Sequence, residues 1–193
     1  LVGTGVTTLC YCVGADQVYY PSQVASQPGW RHTPSADTSP VFRRCHEVAN
    51  EVRDRGIDVI RVIMERAAEQ GLEFIPSLRM NDGHFAQKIH PTEHPFTSRF
   101  WMEHQDLTLV RADPSLTGWQ GFVFDWTHQE VRDYRMAQIE EIIDGYAADG
   151  FEIDFTRHYM LFPPGKQQPE LVTEMVRRTR ARLDERARRV GKP

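Results

Sequence analysis

The sequence GFEIDFTRH, residues 150–158, alternates apolar and polar side chains over one short run. Side chains of an extended chain point alternately to its two faces. The apolar members therefore share one face and the polar members share the other: Phe151, Ile153 and Phe155 against Glu152, Asp154 and Thr156. Carboxylates facing the interior of a fold are costly unless they are paired or used in a reaction. This run predicts a strand whose polar face carries chemistry.

Two further runs have the composition of strands. Residues 6–13 (VTTLCYCV) are continuously β-branched or apolar, which is typical of a strand buried on both faces. Residues 72–78 (LEFIPSL) form the other run. Pro76 within it indicates an edge strand or a bulge, because proline cannot donate to the ladder. Helical spacing of apolar residues follows at 42–52, 59–67, 131–146 and 171–187.

Alternating strands and helices predict the α/β class, with a parallel sheet joined by right-handed crossovers. A complete eight-stranded barrel of this kind needs roughly 250 residues, and this chain has 193. We therefore expect one partial parallel β/α barrel over residues 1–193, truncated at both ends. The rival interpretation is a small, open, doubly wound sheet. The long connection 81–127 is expected to carry function and to contain short strands at 107–110 and 122–124.

Composition excludes several classes of partner. The net charge is −4 and acidic and basic residues are interleaved, so no basic footprint for nucleic acid is present. The arginine-rich segment 177–189 has the pattern of a solvated helix face. No apolar run approaches the roughly 18 residues that a membrane span needs. The three cysteines, Cys10, Cys12 and Cys45, do not make a disulfide framework, and we expect buried free thiols.

Polar residues cluster just after the second and third predicted strands. Active sites of parallel β/α folds gather at the carboxyl ends of the strands, so these residues are the candidates for a site. Asp154 is the candidate catalytic carboxylate, with Glu152 and Asp82 as further acidic candidates. The candidates for binding substrate are Arg79, Asn81, His84, Trp126, Arg157 and His158.

Two of these segments resemble a known family. The runs LRMNDGH (78–84) and GFEIDFTRH (150–158) are similar to the family-10-like glycosyl hydrolases, TIM-barrel glycosidases common in bacterial genomes. The resemblance extends from about residue 6 to residue 189 and implies that the three predicted strands are the second to fourth of the barrel. A fainter likeness to the α-amylase superfamily pairs a strand-end Asp with a His four residues later, as Asp154 and His158 stand here. That superfamily has Arg two residues before the Asp, where this chain has Glu152.

The resemblance implies hydrolysis of an O-glycosidic bond in a carbohydrate, without a cofactor. Glycoside cleavage usually needs two carboxyl groups. Asp154 would be one, and the second would be Asp82, Glu152 or a residue on a later strand outside this chain, in which case the chain alone would be inactive. Two alternatives stay open: a metal-dependent hydrolase or isomerase that uses Asp82, His84, Asp154 and His158 as ligands, and a barrel that only binds carbohydrate.

Overall fold

A computed structural model describes residues 3–30, 39–83 and 97–191, with the backbone alone described for residue 119. It contains three strands: β1 (Thr8–Gly14), β2 (Glu73–Arg79) and β3 (Glu152–Asp154). Seven helices accompany them in the described ranges, together with a 3₁₀ turn at Gln105–Leu107: α1 (Pro40–Asp54), α2 (Val59–Glu69), α3 (Arg99–Glu103), α4 (Leu109–Ala112), α5 (Trp119–Phe122), α6 (Gln129–Gly145) and α7 (Pro169–Val190).

The three strands form one parallel sheet in the order β1-β2-β3. Cys10 pairs with Ile75 across β1 and β2, and Arg79 pairs with Asp154 across β2 and β3. The predicted α/β class and parallel sheet are therefore confirmed, with strand boundaries shifted by one or two residues. The sheet is small and open, and within the described ranges β1 and β3 each pair on one side only.

The two faces of the sheet differ in chemistry. One face packs against helices, where Phe74 and Leu78 of the central strand are almost fully buried and Phe151, Ile153 and Phe155 contact the same core. The opposite face carries polar side chains, several of them exposed: Thr8, Cys10, Cys12, Glu73, Ser77, Arg79, Glu152 and Asp154. The alternation predicted for residues 151–155 agrees with this arrangement. We call this second surface the polar face.

Pro76 lies in the central strand, so the sequence-based prediction of an edge strand is wrong, whereas the register of the paired strand β1 does shift, between Cys12 and Gly14, beginning one pair beyond Pro76. The N–H that Pro76 lacks would point toward β3, on the same side as the N–H groups of Phe74 and Met80, which donate to Asp149 Oδ2 and to Asp154 O. The missing donor of Pro76 falls between them. β3 begins to pair with β2 only at Ser77, so the proline removes no ladder hydrogen bond.

The connection between β2 and α6 is helical rather than stranded where it is described. The segments expected as strands at 107–110 and 122–124 are not strands: most of the first lies in the 3₁₀ turn and α4, and Phe122 ends α5. The two segments meet in one antiparallel bridge between Thr108 and Phe124. Leu109 N donates to Val123 O, and Asp125 N donates to Leu107 O. Hydrogen bonds within each turn are thus favoured over strand pairing, because an extended pairing of so few residues is only marginally stable.

The three thiols are free, and the prediction that they are buried is wrong: Cys10 and Cys45 are exposed and Cys12 is half-buried. Cys10 and Cys12 share the polar face of β1, which no helix covers in the described part of the chain. None of the described helices has the length and apolar composition needed to cross a membrane.

The arginine-rich segment of α7 is more than a solvated face, because part of it holds α7 against α6. Arg182 and Arg189 both bond the carboxylate of Asp144, and Arg186 donates to the carbonyl oxygens of Asp144 and Tyr146. Partial burial opposes ionisation of Asp144, but the hydrogen bonds and charges of the two arginines lower its pKa below the ordinary value. Asp144 is therefore the acidic anchor of the α6–α7 contact.

We expect Asp144→Asn to lower the free energy of unfolding at pH 7 by about 1 kcal/mol or less, because partly exposed ion pairs contribute little. Since the folded-state pKa of Asp144 is depressed, its contribution is present above the unfolded pKa of about 4 and is lost as the pH falls through the folded value. Urea titrations at pH 7 and pH 3 measure this. Asp184→Asn is the control, because Asp184 pairs with Arg180 within α7. An equal loss in both variants at pH 7 contradicts the prediction.

Candidate functional site

The parallel register brings the carboxyl ends of β2 and β3 together. Arg79 is the partner of Asp154 in the register, and Met80 N donates to Asp154 O at 3.0 Å. Residues that directly follow one strand therefore lie beside residues that directly follow the other. The two segments from which the sequence predicted a site meet at one end of the sheet.

Arg79 lies between two carboxylates. Its Nη1 is 3.3 Å from Asp82 Oδ2, and its Nε is 3.9 Å from Asp154 Oδ2. The side chains of Asp82, Asp154 and Arg79 are 5, 16 and 34% exposed, so the guanidinium reaches solvent while the acids are more enclosed. Partial burial by itself would lower the pKa of Arg79, but neighbouring Cys12 and Asp82 raise it above the ordinary value. Arg79 remains a cation shared by both acids.

Asp154 is oriented by the chain that follows it. Its Oδ1 accepts hydrogen bonds from Thr156 N at 2.8 Å and from Thr156 Oγ1 at 2.6 Å. Its Oδ2 faces Arg79. Both oxygens are thus directed by neighbours, and the carboxylate is fixed at the open edge of the polar face, beside the end of β2.

His158 has a left-handed backbone, with φ of 55°, and it is the only non-glycine residue with positive φ in the described ranges. Such a conformation costs on the order of 1–3 kcal/mol and persists only where neighbouring contacts enforce it. Its Nδ1 accepts a hydrogen bond from Gly83 N at 2.9 Å and lies 3.3 Å from Asp82 Oδ1. A nitrogen that accepts from Gly83 carries no proton, so the neutral ring is protonated on Nε2.

Asn81 has a structural role that the sequence did not reveal. It is 2% exposed, and its Nδ2 donates to Met160 O at 2.8 Å and to Phe124 O at 3.5 Å. These bonds tie the end of β2 to the loop after β3. Because its amide nitrogen donates to backbone carbonyl oxygens, Asn81 stabilises the end of β2 that carries the site.

Trp126 does not line the site, and its prediction as a substrate-binding residue is corrected. The side chain is 0% exposed and packs edge-on against Phe155, with ring centroids 5.7 Å apart. A fully buried ring offers no face to a sugar. Trp126 is buried in the same core as the apolar residues of α6. Its position in a predicted loop gave no indication of this burial.

The remaining predicted residues lie around this cluster or outside the described ranges. Glu152 lies on the polar face two residue pairs before Asp154, where its Oε2 accepts from Cys10 Sγ at 3.2 Å. Arg157 is exposed at the start of the loop after β3. His84 falls among residues 84–96, which the structure does not describe, so its predicted role is untested.

Sequence reasoning missed Asp16, which directly follows β1. Its carboxylate accepts from Ser98 N at 2.7 Å and from Ser98 Oγ at 2.8 Å, which fixes the start of α3. Burial raises the pKa of Asp16 while nearby Arg135 and Ser98 lower it, and the negative charge of Asp82 raises it further. Asp16 thus belongs to the same end of the sheet as Asp82. Polar residues after β2 and β3 were candidates because active sites gather at the carboxyl ends of parallel strands. The same rule applied to β1 predicts Asp16.

This arrangement can bind hydroxyl groups and transfer protons. A guanidinium that reaches solvent donates hydrogen bonds, and the two carboxylates beside it can accept protons or hydrogen bonds. No group of three His, Cys, Asp or Glu side chains in the described ranges is arranged to hold a metal ion. In comparisons with protein-family models and with curated proteins, nothing matches this chain. The resemblance to glycosyl hydrolases therefore stays a prediction.

The contact between Cys10 and Glu152 can be tested by thiol chemistry. Partial loss of solvent around the thiol, followed by the hydrogen bond and charge of Glu152, raises the pKa of the exposed residue Cys10 to about 11. Only the thiolate is alkylated, so Cys10 should react slowly with iodoacetamide at pH 8. We expect Glu152→Gln to lower this pKa and to accelerate modification of Cys10 by roughly tenfold, measured by mass spectrometry of the modified peptide.

Glu73→Gln is the matched control, since Glu73 lies on the same polar face but accepts a hydrogen bond from Thr8. Equal acceleration in the two variants contradicts the assigned contact.

The support given by Asn81 predicts a loss of stability on its removal. Asn81→Ala leaves the carbonyl oxygen of Met160 without this donor, and we expect a loss of about 1–3 kcal/mol in the free energy of unfolding. Chemical denaturation measures it. Asn50→Ala, on the partly exposed surface of α1 where Asn50 bonds His46, should cost less. A neutral Asn81→Ala variant contradicts the role.

Proposed function

We propose that this site hydrolyses the O-glycosidic bond of a carbohydrate, with Asp154 as the reacting carboxylate. The observation that carries the proposal is one guanidinium, that of Arg79, in contact with two carboxylates at the carboxyl end of a parallel sheet. Glycosidases use a pair of carboxyl groups on either side of the scissile bond. Asp82 is the second carboxyl group at this position.

The separation of the two acids supports this chemistry. Both lie within 4 Å of nitrogens on the same guanidinium, at 3.3 and 3.9 Å. Their oxygens can therefore be no more than roughly 10 Å apart, a limit that includes both the retaining spacing of about 5–5.5 Å and the inverting spacing of about 6.5–9.5 Å. A larger separation would have excluded either mechanism.

The neighbours of the acids give them different roles. Asp82 is nearly buried and is held by Arg79, while the unprotonated Nδ1 of His158 lies 3.3 Å from its other oxygen. Asp154 is more exposed and is oriented by Thr156 through one oxygen, which leaves the other directed toward Arg79 and solvent. Arg79 would hold a sugar hydroxyl against Asp154.

The sheet supports a partial β/α barrel as the scaffold. Parallel sheets normally have both faces covered, yet the polar face of this sheet has no covering helix in the described ranges. Strand order β1-β2-β3 advances in one direction, which is compatible with a barrel. A polar face of this kind would become the interior of a barrel on closure.

The metal-dependent alternative has less support. A metal site directs several free oxygen or nitrogen atoms to one point, whereas Arg79 already neutralises the two acids here. His84, which completed the predicted ligand set, lies outside the described residues.

Activated 2,4-dinitrophenyl glycosides of several sugars test the proposal, because their leaving group needs little protonation and so tests Asp154 without a strong acid catalyst. We expect the chain to release dinitrophenolate from at least one sugar, and Asp154→Asn to reduce the rate by about 100-fold or more. Arg79→Met should raise KM more than it lowers kcat, since Arg79 binds ground state and transition state alike.

Glu152→Gln is the control, because Glu152 is also acidic and on the same face but lies two residue pairs before Asp154. It should retain most of the activity. Absence of release above the uncatalysed rate with every sugar overturns the proposal. Carbohydrate binding without cleavage would instead favour the carbohydrate-binding alternative.

A further inference from the structure

A second concave surface lies beside this site, in the loop after β3 and the first turns of α7. It is a groove of about 650 Å³, within the range of roughly 300–1,000 Å³ that small-molecule sites occupy. Its lining is mainly apolar: Tyr159, Met160, Leu161, Phe162, Pro164 and Val172. We call it the apolar groove.

The apolar groove is continuous with the site along the chain and through hydrogen bonds. Tyr159 directly follows His158. Met160 O accepts from Asn81, and Leu161 O accepts from Trp126 N at 2.8 Å, so the groove is fixed to the end of β2 and to the core. Tyr159, at one end of the groove, is thus the next residue in the chain after His158, whose ring lies 3.3 Å from Asp82.

Tyr159 is the unusual member of the groove. It is 74% exposed, the most exposed of the large hydrophobic side chains in the described ranges. Val176, one helical turn beyond Val172 on α7, is 46% exposed and extends the apolar surface along the same helix face. Exposed apolar surface that adjoins a polar site marks a place where a ligand can be buried.

The side chains that line the apolar groove determine which class of ligand it can bind. A sugar needs hydrogen-bond partners for its hydroxyl groups, and among the described residues that line the groove these are few: Gln167, Thr173 and the hydroxyl of Tyr159. An alkyl or aryl group fits both the size and the apolar lining.

We propose that the apolar groove receives the apolar aglycone of a glycoside whose sugar lies against Arg79 and Asp154. The inference rests on the proposed function and makes it specific, since it assigns the substrate class as glycosides with a hydrophobic alkyl or aryl leaving group. The polar cluster binds the sugar, and Tyr159 and Val172 bind the aglycone.

Alkyl glycosides of increasing chain length test this inference by isothermal titration calorimetry below their micelle concentrations. Methyl, butyl and hexyl glycosides of glucose, galactose and mannose are the probes. We expect affinity to rise roughly threefold for each added methylene that enters the groove. Tyr159→Ala should weaken binding of the hexyl glycoside about fivefold and leave the methyl glycoside unchanged. Because Tyr159 is largely exposed, this variant should fold normally.

Val172→Thr keeps the side-chain shape but makes the groove more polar, and it should weaken the hexyl glycoside as well. Val62→Thr is the matched control, since Val62 is a 56% exposed valine on α2, away from the groove. Hexanol is the control for the sugar, and it should bind at least tenfold more weakly than the hexyl glycoside. Equal binding of hexanol, no dependence on chain length, or no binding by any glycoside overturns the inference.

The two proposals fail in different ways. Cleavage of dinitrophenyl glycosides without a chain-length effect leaves the hydrolase proposal standing and overturns the aglycone groove. A chain-length effect that Tyr159→Ala removes, without any cleavage, supports the groove and overturns hydrolysis.

Discussion

The pairing of Arg79 with Asp154 across β2 and β3 is the constraint on which the site depends. The register places their side chains on the same face, at the last residue of each strand. Because side chains alternate along a strand, a slip of one residue would move Asp154 to the core face and bring Ile153 to the polar face. The apolar packing of Ile153 and Phe155 opposes that slip. The contacts of the hydrophobic core therefore also fix the position of Asp154 on the polar face.

The contacts beyond the sheet hold this edge in place from several directions. Asn81 ties the end of β2 to the loop after β3, and Asp16 ties the end of β1 to the start of α3. His158 closes the arrangement by accepting from Gly83 in a strained backbone conformation. Such a conformation persists only where neighbouring contacts enforce it, and here Gly83 and Asp82 are the neighbours of the His158 ring.

Local patterns predicted much of the scaffold. Alternation in residues 150–158 indicated both faces of β3, and helical spacing located α1, α2, α6 and α7. The predictions that were wrong concern residues whose neighbours come from distant parts of the chain. Pro76 is tolerated in the central strand because β3 starts one residue later, and Trp126 is buried because Phe155 packs against it. Neither fact is visible from spacing.

The sequence by itself determined the α/β class, the polar face of β3 and the residue types available for chemistry, because these follow from side-chain alternation and from the rule that strand ends carry function. Only the tertiary structure decided which of those residues meet. Arg79 was a candidate binding residue, and the parallel register made it a cation shared by Asp82 and Asp154. Asn81, a candidate for binding substrate, is buried and connects the end of β2 to the loop after β3. The physical reason is that pairing and burial depend on contacts between strands more than 70 residues apart, which no local pattern contains.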